Sequence, residues 1–115
     1  MEGEHFIIRS KVWIEDEKGN VVFGLGRYRI LDAVIRHSSL QAAAKELKMS
    51  YRALWGRIKA SEARLGKTLV VREGRGSKLT PFALELMAQF KKLHVHILDD
   101  SNTVFSKLLT DCLDK

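Results

Sequence analysis

The chain has 115 residues, 45% of them hydrophobic and 30% charged, with one proline, eight glycines and a single cysteine, Cys112. That length holds one compact core rather than two, and the composition excludes low-complexity and disulfide-stapled classes, while no apolar run is long enough for a bilayer. Net charge is +6, and it is unevenly spread: residues 48–78 carry nine basic residues against Glu62 and Glu73, a local +7, leaving −1 for the other 84 residues. Such a segment on a nearly neutral body is an electrostatic footprint for a polyanion, where the plainer reading is a solvated face. The charged start MEGEH lacks a signal-peptide layout and the lone cysteine fits a reducing compartment, so a cytoplasmic protein is expected.

Residues 6–14 mix branched and aromatic side chains with polar ones and predict a strand. The run EKGN over residues 17–20 predicts a hairpin turn, and residues 21–23 the returning strand. A first helix is expected over residues 26–36, with Tyr28, Leu31, Val34 and Ile35 as its apolar stripe, widened by Ile30. Ser38 or Ser39 then caps a short second helix over residues 40–47, and Ser38 with Gln41 also has the capping-box spacing. Alanines on its inner face permit a close helix–helix approach. A turn over residues 48–50, with Ser50 as cap, leads into a third helix over residues 51–65 that stops at Gly66. Its inner stripe is Leu54, Ile58, Ser61 and Leu65, while Tyr51, Arg52, Trp55 and Lys59 fall on another face.

Residues 69–72 and 78–80 predict the strands of a second hairpin around a glycine-rich turn at residues 73–77. Thr80 and Pro81 have the cap and first-position signature of a last helix. Leu86, Phe90, Leu93 and Ile97 follow a 4-3-4 spacing, continued by Val104 and Leu108. The polar run DDSN at residues 99–102 leaves open whether residues 81–113 form one helix or two. The expected fold is mainly α with small β-hairpins: a winged helix-turn-helix with an N-terminal hairpin and a long C-terminal helix. The expected division is a winged-helix domain over residues 1–98 and a helical tail over residues 99–115.

Three helices followed by a two-stranded wing place the third helix where it fits a major groove. Arg52 is suited to pairing with guanine, and Tyr51 and Trp55 to a thymine methyl or a phosphate. A large ring off the core stripe is otherwise an unusual exposure. Lys48, Arg57 and Lys59 read as phosphate contacts or as solvated charge. On the wing, Arg72, Arg75 and Lys78 are the basic candidates, with Gly74 and Gly76 allowing the backbone around Arg75 to approach a sugar-phosphate surface.

The stretch SLQAAAKELKMS over residues 39–50, followed by Leu54, Ile58, Glu62, Leu65, Gly66, Leu69, Arg72, Leu79, Thr80 and Pro81, resembles the DNA-binding domain of LysR-type regulators. The leading hairpin with Trp13, the runs GLGRYRIL at residues 24–31 and MSYRALW at residues 49–55, and the spacing between them are similar to the N-terminal domain of ModE-type molybdate-responsive repressors. The resemblance covers about residues 11–98. It implies a homodimeric regulator of transcription that reads a palindrome-like operator in double-stranded DNA. By position it places Ser50, Tyr51, Arg52 and Trp55 on the recognition helix and Arg75 on the wing. It also implies a dimer interface through Trp13 and through Leu86, Phe90, Leu93 and Ile97 of the last helix. Two departures stand out: the wing is nearer the shorter LysR length, and the chain ends where ModE proteins begin their molybdate-binding domains. No effector domain, and hence no molybdate site, is expected from this sequence.

Rival readings are a metal or redox sensor using His94, His96 and Cys112, and a winged-helix adaptor for proteins. His94 and His96 are two apart on a helix and point to different sides, so they do not grip one metal together without distortion. A protein-binding surface is usually more apolar at its centre than the +7 segment. No phosphate-binding glycine loop, zinc cluster or nucleophile–base set marks an enzyme, and neither cofactor nor metal is expected.

Overall fold

The computed structural model describes residues 6–114; the start MEGEH and the last tail residue, Lys115, lie outside the described residues. In chain order the elements are β1 (Trp13–Glu15), β2 (Val21–Gly24), α1 (Leu25–His37), α2 (Leu40–Glu46), α3 (Tyr51–Leu65), β3 (Val70–Glu73), β4 (Gly76–Leu79) and α4 (Pro81–Leu113). They fall into two compact units. Residues 13–88 form one; residues 6–12 with 89–114 form the other, and α4 is continuous through both.

In the first unit, β1 and β2 pair antiparallel, Trp13 opposite Gly24 and Ile14 opposite Phe23, with a bulge after Ile14. The Asp16 carboxylate closes the turn by accepting from the backbone N–H groups of Lys18 and Asn20, each at 2.9 Å. The Asn20 N–H, ahead of burial and of the Asn20 amide, dominates a set of effects that together hold the Asp16 carboxyl below its usual range. Gly19 supplies the left-handed φ of +84°. The strand expected over residues 6–14 forms only at its end. A strand needs a partner along its length, and β2 offers four residues. In the second unit the Ile8 N–H is instead taken by Asn102 Oδ1 at 2.8 Å.

α1, α2 and α3 pack around Phe23, Ile30, Leu31, Val34, Leu54 and Ile58, all nearly inaccessible. The inner face of α1 matches the stripe expected from spacing at Ile30, Leu31 and Val34 but not at Ile35. Ile30, Leu31, Ala33 and Val34 are buried, whereas Ile35 is 48% exposed. α1 is covered by β2, α2, α3 and β4 together, so its buried arc is wide and centred near Val34, leaving Ile35 at its margin. Ser61 is the one buried polar residue among those described, and its hydroxyl donates to the Val22 carbonyl at 2.6 Å. Of the expected inner face of α3, Leu65 is only half-buried.

Ser39, not Ser38, caps α2, its Oγ accepting from the Ala42 N–H at 3.1 Å. Ser38 instead takes a left-handed conformation (φ 53°) that ends α1. At this corner Arg36 is bidentate to Glu46 (2.5 and 2.7 Å), and His37 Nε2 lies 2.6 Å from the same carboxylate. The Arg36 hydrogen bonds, then that of His37, lower the Glu46 carboxyl to about 2, and the Glu46 and Asp32 bonds push Arg36 up.

The second hairpin pairs Val70 with Leu79 and Glu73 with Gly76, so its turn is only Gly74 and Arg75. The first of these has φ +61°, the position where a type II′ turn requires glycine. The returning strand therefore starts at Gly76, two residues before the expected start. α4 begins as expected: Thr80 Oγ1 accepts from the Ala83 N–H at 3.1 Å and donates to the Thr68 carbonyl at 2.7 Å.

α4 is one helix of 33 residues. The DDSN run does not break it because no glycine or further proline lies within it, and a few polar residues each cost only tenths of a kcal/mol of helix propensity. The Asn102 amide donates back to the Leu98 carbonyl at 3.0 Å, and Asp100 pairs with His96 one turn away (3.3 Å). Its buried positions are Ala83, Met87 and Phe90. Leu86 and Ile97 are half-buried and Leu93 is 43% exposed, so only Phe90 of the expected stripe is covered within the chain.

Candidate nucleic-acid interface

α3 projects its N-terminal half from the core, because Leu54 and Ile58 anchor one side and leave the other to solvent. Ser50 caps it, Oγ accepting from the Ala53 N–H at 3.0 Å; its hydroxyl hydrogen stays available to another acceptor. Tyr51 is 46% exposed, Trp55 36%, and Arg52 is exposed with no acidic partner among the described residues. Lys59 places its ammonium 4.4 Å from the Trp55 ring centroid and 3.0 Å from Glu62. It thus braces the ring against solvent while being partly neutralised.

A cleft of about 430 Å³ separates α3 from the wing. Its walls are Ser39–Gln41 at the start of α2, Tyr51 and Trp55 of α3, Val70–Arg72 of β3, and Arg75–Ser77 at the wing turn. The fold therefore brings Tyr51, Trp55, Arg72 and Arg75 to one concave surface. Ser50, Arg52, Lys59 and Lys78 are not in its walls. Lys78 pairs with Glu73 across the wing at 2.8 Å. Both acidic residues of the 48–78 segment are thus paired with lysines, and among the described residues Arg52, Arg72 and Arg75 have no acidic partner.

The wing is held by contacts that patterning did not reveal. Glu62, which in the sequence opposes the local positive charge and belongs to the LysR-like pattern, accepts from the backbone N–H groups of Leu69 (2.7 Å) and Val70 (3.2 Å). Burial opposes its ionisation, but the Leu69 N–H, Lys59 and the Val70 N–H outweigh it and keep the carboxyl below its ordinary range. The other strand is fixed by the Ser77 N–H donating to the Ser38 carbonyl at 3.0 Å. Gly76 faces that same carbonyl, and a Cβ there would collide with it. The two wing glycines therefore serve the protein's own backbone: Gly74 makes the turn, and Gly76 lets β4 approach the corner between α1 and α2. The signal for Glu62 was its place one turn after Lys59 and just before the helix stop. Ser38 and Gln41 carried only a capping signal, and Ser77 only that of a turn residue.

The remaining candidates lie elsewhere. Trp13 is 51% exposed on β1, its indole N–H donating to Glu15 at 2.6 Å. His94 stacks on Phe90 with centroids 6.0 Å apart, His96 pairs with Asp100, and Cys112 is exposed. Among the described residues no cluster of three or more potential metal ligands forms, and no helix is long and apolar enough to cross a membrane.

Comparison with known proteins agrees with this geometry. Residues 25–84 match the family described as bacterial regulatory helix-turn-helix protein, lysR family. The chain is 32% identical over 74 residues to the molybdenum transport protein ModE of Azotobacter vinelandii, covering 60% of this chain and 27% of that protein. It is 31% identical over 88 residues to an uncharacterized HTH-type transcriptional regulator of Mycobacterium tuberculosis, covering 76% of this chain and 28% of the relative. The chain thus spans little more than a quarter of the length of these relatives.

Among solved structures, the DNA-binding domain of CbnR in complex with DNA superposes with a TM-score of 0.60 at 22% identity, covering 75% of this chain and 99% of that one, a likeness of fold. The DNA-binding domain of BenM bound to its benA site 1 DNA gives 0.56 at 26% identity, covering 76% and 97%. Three helices with a turn between the second and third, a two-residue wing turn and the family match over residues 25–84 lead to one conclusion: the chain belongs to the lysR family of bacterial regulatory helix-turn-helix proteins and has the winged-helix fold of its DNA-binding domains.

Proposed function

We propose that this chain regulates transcription by binding double-stranded DNA as a homodimer, with α3 in the major groove and the wing against the flanking backbone. The observation that carries the reading is the convergence of Tyr51, Trp55, Arg72 and Arg75 on one concave face with no acidic residue in its walls, Glu62 and Glu73 of the same basic segment being paired with lysines. Arg52, exposed and uncompensated in the first turn of α3, is the base-reading candidate. Ser50 and Tyr51 accompany it, Trp55 braces the sugar-phosphate or a thymine methyl, and Arg75 takes a phosphate or the minor groove. Lys59, Arg72 and Lys78 supply weaker backbone attraction, since two of the three have carboxylate partners.

The dimer reading draws on the exposed apolar side chains of α4, Leu93, Val104 and Leu108, and on Trp13, with the half-buried Leu86 and Ile97 beside them; Phe90 of the expected seam is already buried within the chain. Two such domains read a palindrome-like operator, with half-sites spaced by helical turns of the duplex. A cytoplasmic regulator rather than a catalyst fits this reading. Any connection to molybdate or metal-ion homeostasis rests on the likeness to the Azotobacter protein over 27% of its length.

Selection of bound sequences from a random duplex pool, combined with a salt titration, tests the proposal. A palindromic motif and a log–log fall of affinity with salt are expected, because phosphate contacts release counterions. Failure to bind any duplex at low salt would overturn it. Sedimentation giving a 13.1 kDa species at micromolar concentration would overturn the dimer.

A further inference from the structure

The two walls of the cleft are joined behind it. Trp55 stands in the α3 wall and Val70 in the wing wall. Lys59 follows Trp55 by one helical turn and Glu62 follows Lys59 by three residues, spacings that bring side chains together along a helix. The Lys59 ammonium sits 4.4 Å from the Trp55 ring centroid and 3.0 Å from one Glu62 carboxylate oxygen. The other oxygen of that carboxylate accepts from the Leu69 and Val70 N–H groups. An unbroken line of contacts thus runs from the ring in one wall to the backbone of the other. Lys59 and Glu62 are outside the cleft walls and line a second hollow with Ala63, Gly66, Lys67 and Thr68.

The line has a fixed end and a loose end. The Glu62 side chain is 11% exposed and held by two backbone donors, whereas that of Lys59 is 49% exposed on a flexible four-carbon stem. Glu62 therefore sets where the ammonium rests. The ammonium in turn favours one placement of the Trp55 ring, because a cation is attracted to a ring face. An indole that is 36% exposed has fewer packed neighbours to hold it otherwise.

We propose that Lys59 is a positioning residue of the DNA site: it ties the Trp55 ring to the Glu62 anchor of the wing, so that α3 and the wing meet the duplex as one preset surface. This role rests on the DNA-binding reading of the cleft, and it means that Lys59 acts on the duplex through Trp55 besides its attraction to the backbone. A ring placed before binding loses less freedom on binding, which is how such a contact raises affinity.

The test uses the full chain labelled with fluorinated tryptophan. Its two tryptophans, Trp13 and Trp55, give two fluorine resonances, and Trp55→Phe assigns them. Lys59→Gln removes the cation, while Lys59→Arg keeps one that both stacks on rings and pairs with carboxylates. The Trp55 resonance is expected to move in Lys59→Gln and to return toward its native position in Lys59→Arg, with that of Trp13 unmoved in both. Glu62→Gln withdraws the charge that places the ammonium and is expected to move the Trp55 resonance in the same direction. A Trp55 resonance unmoved in Lys59→Gln overturns the hold on the ring, and one unmoved in Glu62→Gln overturns its tie to the wing.

Duplex binding reads the consequence. Lys59→Gln is expected to weaken binding of a selected duplex about two- to fivefold, the range of an exposed cation–π contact. It should have little further effect once Trp55→Ala is in place, since two residues acting as a unit are not additive. Equal losses in the two backgrounds make Lys59 a plain backbone contact and overturn the positioning role. A wild-type chain that binds no duplex refutes the proposed function instead, while the fluorine spectra still decide whether Lys59 holds the ring.

Discussion

Removing the Glu62 carboxylate should unlatch the wing. Its side chain is 11% exposed and holds two backbone donors, the N–H groups of Leu69 and Val70, besides the Lys59 ammonium. Leu69 is buried to 1% and Val70 to 7%, so in Glu62→Ala water has poor access to the freed N–H groups. A hydrogen bond to a charged group contributes about 1.5–3 kcal/mol, and a buried donor left unsatisfied costs about 1–3 kcal/mol. The Val70 bond is long at 3.2 Å and the Lys59 pair is half-exposed, so the Leu69 bond dominates. A loss of about 2–4 kcal/mol is expected for Glu62→Ala.

In a unit of this size each kcal/mol shifts the melting midpoint by about 4–8 °C, so a drop of roughly 8–32 °C follows. Glu62→Gln keeps a carbonyl acceptor for the Leu69 N–H but not its charge, and should lose about half as much. Urea unfolding followed by circular dichroism measures both. Amide hydrogen exchange at residues 69 and 70 reports the latch itself and should accelerate more than exchange at Leu54. Stability of Glu62→Ala within about 0.5 kcal/mol of wild type, the range usual for surface substitutions, would refute the reasoning.

Acid should destabilise the fold through the same residue and through Glu46. Both carboxyls lie below their ordinary value of 4.5 in the folded chain, Glu46 at about 2. Their contribution is present above pH 4.5 and is lost as pH falls through the folded values, so stability should decline between pH 4.5 and 2, and less steeply in Glu46→Gln. A parallel acid limb in that variant would refute the assignment. Gly76→Ala should shift β4 off the Ser38 carbonyl, costing about 1–3 kcal/mol by overpacking, while Gly56→Ala, in open space, should be neutral or stabilising. Ser61→Ala strips the buried Val22 carbonyl of its donor and should cost about 1–3 kcal/mol in denaturant titrations. Arg52→Ala should weaken binding to a selected operator by about 1–3 kcal/mol and relax one base position. Equal losses on selected and random duplex would make Arg52 a phosphate contact instead.

The sequence by itself determined the elements whose causes are local. A serine cap before α2, left open between positions 38 and 39, the capping Ser50, the threonine–proline start of α4 and the αL stop at Gly66 act within one turn of chain, so their chemistry is readable in the residues themselves. The bounds of α3 and the off-core placement of Tyr51, Arg52 and Trp55 follow from the same short-range rules. The failures share the opposite character. Residues 6–12 had a strand's composition but no partner strand to pair with. Ile35 had the spacing of a core residue, but α1 is covered around a different centre. Gly76 looked like a place for a sugar-phosphate to approach, whereas a backbone carbonyl 38 residues earlier in the chain occupies that side.

The roles of Glu62, Ser38 and Ser77 depend on which surfaces face each other across the fold. No periodicity encodes such pairings, because they join residues whose separation in sequence is unrelated to any helical or strand repeat. The local +7 of the 48–78 segment was legible as a sum. Only the tertiary structure decided which of those charges are paired with Glu62 and Glu73 and which line the cleft.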